Sequence, residues 1–188
     1  MAEGSPISEG SAHTVIALAR SVVPATGEAV DVAVVRAALA EVPDPEIPVV
    51  SVVELGMVDE VDVGPDAIRV TLLPTFVGCP ALEVIRTNVE RRLQDFGRPV
   101  DVRFDFRVPW TSDRITPDGR TKLLASGFAP PGPVRADEPL LVQLGTPVPC
   151  PNCGSRRTVL ENAFGPTQCR AIHHCTACRQ PFESFKSI

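Results

Sequence analysis

Five of the six cysteines, Cys150, Cys153, Cys169, Cys175 and Cys178, fall within the last 39 residues of the chain. Four of them form two Cys-x2-Cys pairs, Cys150-Pro-Asn-Cys153 and Cys175-Thr-Ala-Cys178, with 21 residues between the pairs. Each pair can close a tight turn that points two thiolates to one side, and two such turns complete a tetrahedral site. The spacing therefore predicts a structural Zn2+. Four thiolates also suit iron or an iron–sulfur cluster, but the knuckle-like turns favour zinc. A module of about 40 residues has too little core to fold unaided, which a bound metal would remedy. Replacing Cys150 or Cys178 with Ser is then expected to unfold residues 146–188 and leave the rest of the chain folded. Cys169, with His173 and His174, is a spare donor. It is an extra metal ligand, a functional thiol or a small buried side chain beneath the ribbon.

Cys79 is different in kind, because it directly precedes Pro80 at the expected start of a helix. At the N-cap of that helix the free N–H groups and the helix dipole would stabilise a thiolate and lower its pKa. Gly78 would allow close approach of a partner backbone or a metal. The alternative is a thiol that caps a helix and has no chemistry. Asp44 and Glu46 lie among Pro43, Pro45 and Pro48. They are either carboxylates presented on a stiff loop or an acidic turn that caps the chain beyond it. Asp113, Arg114 and Arg120 read as a solvated face with local ion pairs.

The elements that would position these residues follow from periodicity and breakers. Asp31 is a good N-cap for a helix to about Glu41, while the prolines from Pro43 to Pro48 force extended geometry. A short helical turn is expected at Ser51–Leu55. Met57–Val63 and Ala67–Leu73 form a hairpin around Gly64-Pro65-Asp66. Leu82, Ile85, Val89 and Leu93 recur at helical spacing, giving a helix from Pro80 to about Phe96. Val100 to Val108 alternates strictly, which predicts a strand with one buried face. Thr116-Pro117 opens a helix that runs through Leu124. Further strands are expected around Val159 and Ala171.

The resulting class is α+β, with a small α/β domain followed by a C-terminal zinc ribbon. The expected domains are a disordered or weakly docked tail (1–30), an α/β domain (31–128), a proline-rich linker (129–147) and the ribbon (148–188). Charge supports two bodies: residues 1–145 carry 13 basic and 21 acidic side chains, and residues 146–188 carry 5 and 2. A net charge of −5 argues against nucleic acid as the main partner of the whole chain. No apolar run approaches the ~20 residues that a membrane helix needs, so no membrane partner is expected. Residues 1–10 hold Glu3 and Glu9 and no basic residue, unlike a secretory signal. A reducing, cytoplasmic setting is expected, where clustered thiols bind metal more often than they pair.

Several motifs together resemble a known family. Val42-Pro-Asp-Pro-Glu-Ile-Pro48, Leu55-Gly-Met-Val58, Pro74-Thr-Phe-Val-Gly-Cys-Pro80 and Pro109-Trp110 are similar to the iron–sulfur assembly domain of SufT-like proteins. Trp110-Thr-Ser-Asp-Arg-Ile-Thr116, Cys150-Pro-Asn-Cys-Gly-Ser155, Phe164-Gly-Pro-Thr-Gln-Cys169 and Pro181-Phe-Glu-Ser-Phe-Lys186 narrow the match. Over residues 31–188 the chain resembles the PaaD family (also PaaJ) of phenylacetyl-CoA epoxidase systems.

The resemblance implies an accessory subunit in aerobic phenylacetate catabolism, where a multicomponent monooxygenase makes the ring-1,2-epoxide. It implies help in maturing or assembling iron centres, with the di-iron oxygenase and reductase subunits as partners. A transient iron or iron–sulfur cluster would be held at Cys79, with Asp44 and Glu46 as neighbours. The chain lacks di-iron carboxylate helices, a nucleotide loop and a flavin motif, which fits a non-catalytic role. Ser187 stands where relatives often carry a cysteine, so no tail thiol is implied. Two other readings compete. One is a thiol enzyme with Cys79 as nucleophile and a base such as His13. The other is a zinc ribbon that binds protein or nucleic acid through its basic module.

Overall fold

In the computed structural model, which describes residues 30–134 and 146–187, the chain begins with helix α1 (Val32–Leu39). Asp31 caps it by accepting the Val34 N–H at 2.9 Å, and Val35, Ala38 and Leu39 form its buried face. Residues 1–29 of the expected tail, including the His13–Val23 segment, lie outside the described residues, as do 135–145 of the expected linker.

Strands β1 (Val58–Val63) and β2 (Ile68–Leu72) form the expected antiparallel hairpin. Helix α2 (Leu82–Gln94) then crosses over and returns the chain as β3 (Val100–Phe104), parallel to β2. Parallel strands require such a crossover, and the helix buries Ile85, Val89 and Leu93 on the sheet side. The order is β1-β2-β3, with α1 against α2 and β1.

Two expectations change here. The strand predicted through Val108 stops at Phe104. Asp105 accepts the Arg107 N–H at 2.8 Å and also binds its guanidinium, which bends the backbone out of the sheet. Phe106 and Val108 are consequently exposed. Nor are Arg114 and Arg120 a plain solvated face. Arg114 reaches the Gly56 carbonyl at 3.0 Å and Asp59 at 2.8 Å, while Arg120 donates to the carbonyls of Ile115, Ser112 and Pro131. Arg114 thereby ties the segment after β3 to the Ser51–Gly56 turn, and Arg120 ties that segment to Pro131.

That turn is fixed reciprocally, with Glu54 accepting from Ser51 N and Ser51 Oγ accepting from Glu54 N. Helix α3 (Pro117–Ala125), capped by Thr116, packs so closely on it that any side chain at Gly119 would collide with the Glu54 backbone. Gly56, at φ +66°, faces the Arg114 backbone in the same way.

From α3 the chain passes directly into β4 (Phe128–Ala129), which belongs to the second sheet. That sheet is completed by β5 (Thr158–Asn162), β6 (Arg170–Cys175) and β7 (Pro181–Phe185) in the order β4-β7-β6-β5. β4 runs parallel to β7, and the other pairs are antiparallel. Phe185 meets the Trp110 ring at 5.7 Å, and Trp110 donates its indole N–H to the Leu55 carbonyl at 2.9 Å.

Cys169 and Phe185 lie in the same hydrophobic core as α1, α2 and the first sheet. The ribbon is therefore seated on the α/β domain, and the expectation that its loss would leave that domain undisturbed does not fit this shared core. Among the described residues, no helix is long and apolar enough to cross a membrane.

Candidate functional site

The four cysteines of the two pairs converge at one end of the ribbon. Their sulfurs all lie within 4.8 Å of one another, with Cys150 and Cys178 at 3.7 Å and Cys153 and Cys175 at 3.6 Å. A tetrahedral ion with Zn–S bonds of about 2.3 Å requires sulfur separations of about 3.8 Å, so the donor set fits zinc in type, number and spacing.

The two turns that hold them are built alike. The Gly154 N–H donates to the Cys150 carbonyl at 2.8 Å, and the Arg179 N–H donates to the Cys175 carbonyl at 2.8 Å. The donor residue has positive φ in both, at +72° for Gly154 and +61° for Arg179. In the metal-free thiols, Cys175 is drawn down to about 6, foremost by the Cys178 backbone N–H. Cys178 is pushed up to about 12; the Gln180 N–H lowers it, but burial and the neighbouring thiols outweigh that.

A second site lies at the junction of the two bodies. Glu46 Oε2 is approached by Cys79 Sγ at 3.8 Å and by Cys169 Sγ at 4.0 Å, so one carboxylate oxygen faces both thiols. They line a half-open cavity of about 240 Å3, with Phe76 and Pro80 from the α/β side and the Phe164–Gln168 loop from the ribbon. The Asp44–Ile47 turn carries Glu46. Buried Asp44 accepts the N–H groups of Glu46 at 2.9 Å and Ile47 at 2.7 Å through Oδ1.

Arg170 locks the junction. Its guanidinium donates to the Glu46 carbonyl and to Glu183 at 2.9 Å, and it lies over the Phe128 ring. Lys186 donates to the Gln168 carbonyl at 2.6 Å and sits over Phe164. Phe76 and Phe164, which line the cavity, leave apolar surface exposed there.

The electrostatics correct the expectation of a helix-stabilised Cys79 thiolate. The N-cap of α2 is Ala81, not Cys79. Burial is the largest influence on the Cys79 thiol and raises its pKa; the Ala81 N–H lowers it, while Glu46, Cys169 and Asp44 raise it further. Burial likewise raises Cys169, against a hydrogen bond with Thr167. Asp44 and Glu46 are raised too, each mainly by burial. The pocket thus opposes negative charge when it holds no cation.

Cys79 faces Glu46, whose turn Asp44 shapes, whereas Cys169 stands apart from the four-cysteine group and also faces Glu46. His173 is buried on Ser184 and stacked on Phe182, and His174 occupies the opposite face of β6. Sequence reasoning missed Arg170 and Lys186, whose charges gave no sign of being turned inward. The signal available was the Phe164–Cys169 motif, a loop rich in turn residues immediately before a strand.

Known protein families match both halves of the chain. Residues 32–104 match the iron-sulfur cluster assembly protein family, and residues 136–186 match the PaaD zinc beta ribbon domain. The 1,2-phenylacetyl-CoA epoxidase D-subunit of Escherichia coli (strain K12) is 38% identical over 153 residues, 81% of this chain and 90% of that protein. The chain belongs to the phenylacetyl-CoA epoxidase D-subunit family. The Fe-S protein maturation auxiliary factor YitW of Bacillus subtilis (strain 168) is 33% identical over 85 residues, 44% of this chain and 82% of that one. A DUF59 domain of unknown function from Bacillus anthracis is 27% identical, with a TM-score of 0.45 over 47% of this chain and 87% of its own. The C-terminal module of this D-subunit family member is accordingly a metal-binding ribbon. The thiol pocket crosses the two matched segments, with Cys79 and Glu46 in one and Cys169 in the other.

Proposed function

We propose that this protein is an accessory subunit of the phenylacetyl-CoA 1,2-epoxidase system that assists maturation of its iron centres and does not itself catalyse the oxidation. The observation that carries the reading is the placement of Cys79 beside Glu46 in a half-open cavity of an iron–sulfur-assembly domain, within a chain of the D-subunit family. Cys79 is the working thiol, Glu46 its carboxylate neighbour, and Asp44 the group that shapes the turn presenting Glu46. Cys150, Cys153, Cys175 and Cys178 hold one zinc ion as a structural element. The partners are the di-iron oxygenase and reductase subunits, and the setting is the cytoplasm.

Two features argue against the competing readings. A nucleophilic thiol is activated by a lowered pKa, whereas burial foremost, and the carboxylates and thiol around it, shift Cys79 upward. A nucleic-acid interface needs a field of outward-facing cations, whereas Arg170 and Lys186, two of the five in the basic module, are spent on internal contacts and leave Arg156, Arg157 and Arg179 exposed.

Co-expression of the epoxidase subunits with this protein, without it, or with its Cys79→Ser variant tests the reading. Iron content and activity of the purified oxygenase are expected to fall several-fold without the protein and with Cys79→Ser. Full iron and activity with Cys79→Ser would sink it.

A further inference from the structure

The interdomain cavity contains more than the maturation reading uses. Cys169 comes from the ribbon, 90 positions after Cys79, yet its sulfur faces the same Glu46 oxygen. Its place is fixed from both sides. The Lys186 N–H donates to the Cys169 carbonyl at 2.9 Å, and the next residue, Arg170, binds the Glu46 carbonyl. Two thiols that each face the same Glu46 oxygen in a half-open cavity offer a donor set for a borderline-soft divalent metal that draws the two sulfurs together. Three protein ligands leave at least one coordination position open for exchange.

We propose that Cys79, Cys169 and Glu46 together form a composite site that takes one divalent transition-metal ion as cargo, so that the ribbon supplies a ligand and is not merely a structural appendage. The proposal rests on the maturation reading for what the ion is for, but not for where it binds. On binding, each thiol loses its proton, two metal–sulfur bonds form, Glu46 donates an oxygen, and two protons pass to the buffer. No electron is transferred. Selectivity against magnesium and calcium follows from the sulfur donors, and release is eased by the incomplete ligand set.

The test uses the full chain with one zinc retained in the ribbon, kept reduced and without oxygen, and titrated with cobalt(II). One cobalt is expected per chain, with a thiolate-to-cobalt charge-transfer band and release of two protons. X-ray absorption at the cobalt edge is expected to count two sulfur neighbours in the wild-type protein, which avoids reliance on variants. Cys79→Ser and Cys169→Ser are each expected to weaken binding at least tenfold and to release one proton fewer, with zinc content unchanged. Because Cys169 is buried, Cys169→Ala is measured beside Cys169→Ser, and both should behave alike.

Absence of bound cobalt, fewer than two sulfurs per cobalt, or affinity indifferent to both Cys169 variants would overturn the composite site. A cobalt site that needs Cys79 but not Cys169 overturns it while leaving the maturation reading intact. A two-sulfur site in a protein whose Cys79→Ser form still yields full client iron supports the site and removes the maturation reading.

Discussion

The two thiol sites differ in how their donors are assembled. At the ribbon's end, each pair of sulfurs is set by one short turn, and the four donors lie within 4.8 Å of one another. At the junction, Cys79 and Cys169 come from different bodies and share one carboxylate. Four donors would saturate a tetrahedral ion, as in structural sites, whereas the two thiols and one carboxylate of the proposed junction site would leave coordination open to a partner. Strand β6 connects them, since Cys175 closes it and Cys169 immediately precedes it. Six residues of strand span about 20 Å, so the metal knuckle anchors one end of the rod whose other end carries the pocket thiol. One site holds so that the other can be placed.

The largest expected effect breaks that dependence. Cys178→Ser, or removal of the ribbon metal by a chelator, should destabilise the whole described fold and not the ribbon alone. Phe185 and Cys169 would leave the shared core, and β7 would lose its pairing with β4. Vacating a core Phe site alone costs about 3–5 kcal/mol. Calorimetry should show one cooperative transition, shifted down, with cobalt binding at the junction lost as well. Two separate transitions with the α/β one unmoved would show that the ribbon is only tethered.

Asp44 gives the next effect, confined to the junction. Asp44→Ala leaves the Glu46 and Ile47 N–H groups without their acceptor and should cost about 1–3 kcal/mol. Asp44→Asn keeps an acceptor oxygen and should cost less than about 1 kcal/mol. The pH dependence has a definite sign. Burial raises the folded-state pKa of Asp44 above its ordinary 3.8, so its stabilising contribution is full below that value and lost as pH rises through the raised one. The Asn variant does not titrate, so its stability relative to wild type should improve as pH climbs from about 4 to about 7. Urea unfolding across that range checks this, and a relative stability that falls with pH would refute it.

What was legible in the sequence divides along the same line. The knuckles could be read because Cys150 to Gly154 and Cys175 to Arg179 are local, and local spacing determines which way the thiols point. Helices α1, α2 and α3 and the β1–β2 hairpin were legible for the same reason. The end of β3 was not, because the alternation continues through Val108 while the Asp105 side chain diverts the backbone. Least legible was the convergence of Cys79 and Cys169 on Glu46, which depends on Arg170 turning inward to bind the Glu46 carbonyl. No periodicity encodes a contact between residues that far apart.

The pocket thiols should also differ from those of the knuckles in reactivity. With Cys79 shifted upward by burial and by nearby carboxylates, its alkylation at about pH 8 should be slower than that of a small free thiol. Glu46→Gln removes one of those carboxylates and should speed the reaction a few-fold, while the ribbon cysteines, once metal-loaded, stay protected. Peptide-resolved alkylation rates measure both. A Cys79 faster than a free thiol would restore the helix-dipole view that the geometry set aside.

The smallest effect compares the two knuckles themselves. Both turns need positive φ four residues after their first cysteine, yet one uses Gly154 and the other Arg179. A side chain in the left-handed region costs about 1–2 kcal/mol, because Cβ crowds the following carbonyl. Glycine removes that cost but adds freedom to the unfolded chain, worth about 0.5–1 kcal/mol in the opposite direction. The two terms oppose each other, so Arg179→Gly should raise ribbon stability and Gly154→Ala should lower it by a similar net amount, each less than about 1.5 kcal/mol. Zinc affinity, measured by competition with a chelator, should move in the same two directions, because forming the turn is part of forming the site. Arg179 is exposed, so relief of backbone strain is the only gain that the substitution should bring. A loss of zinc affinity in Arg179→Gly would mean that the guanidinium contributes to the metal centre and that the second knuckle is more than a copy of the first.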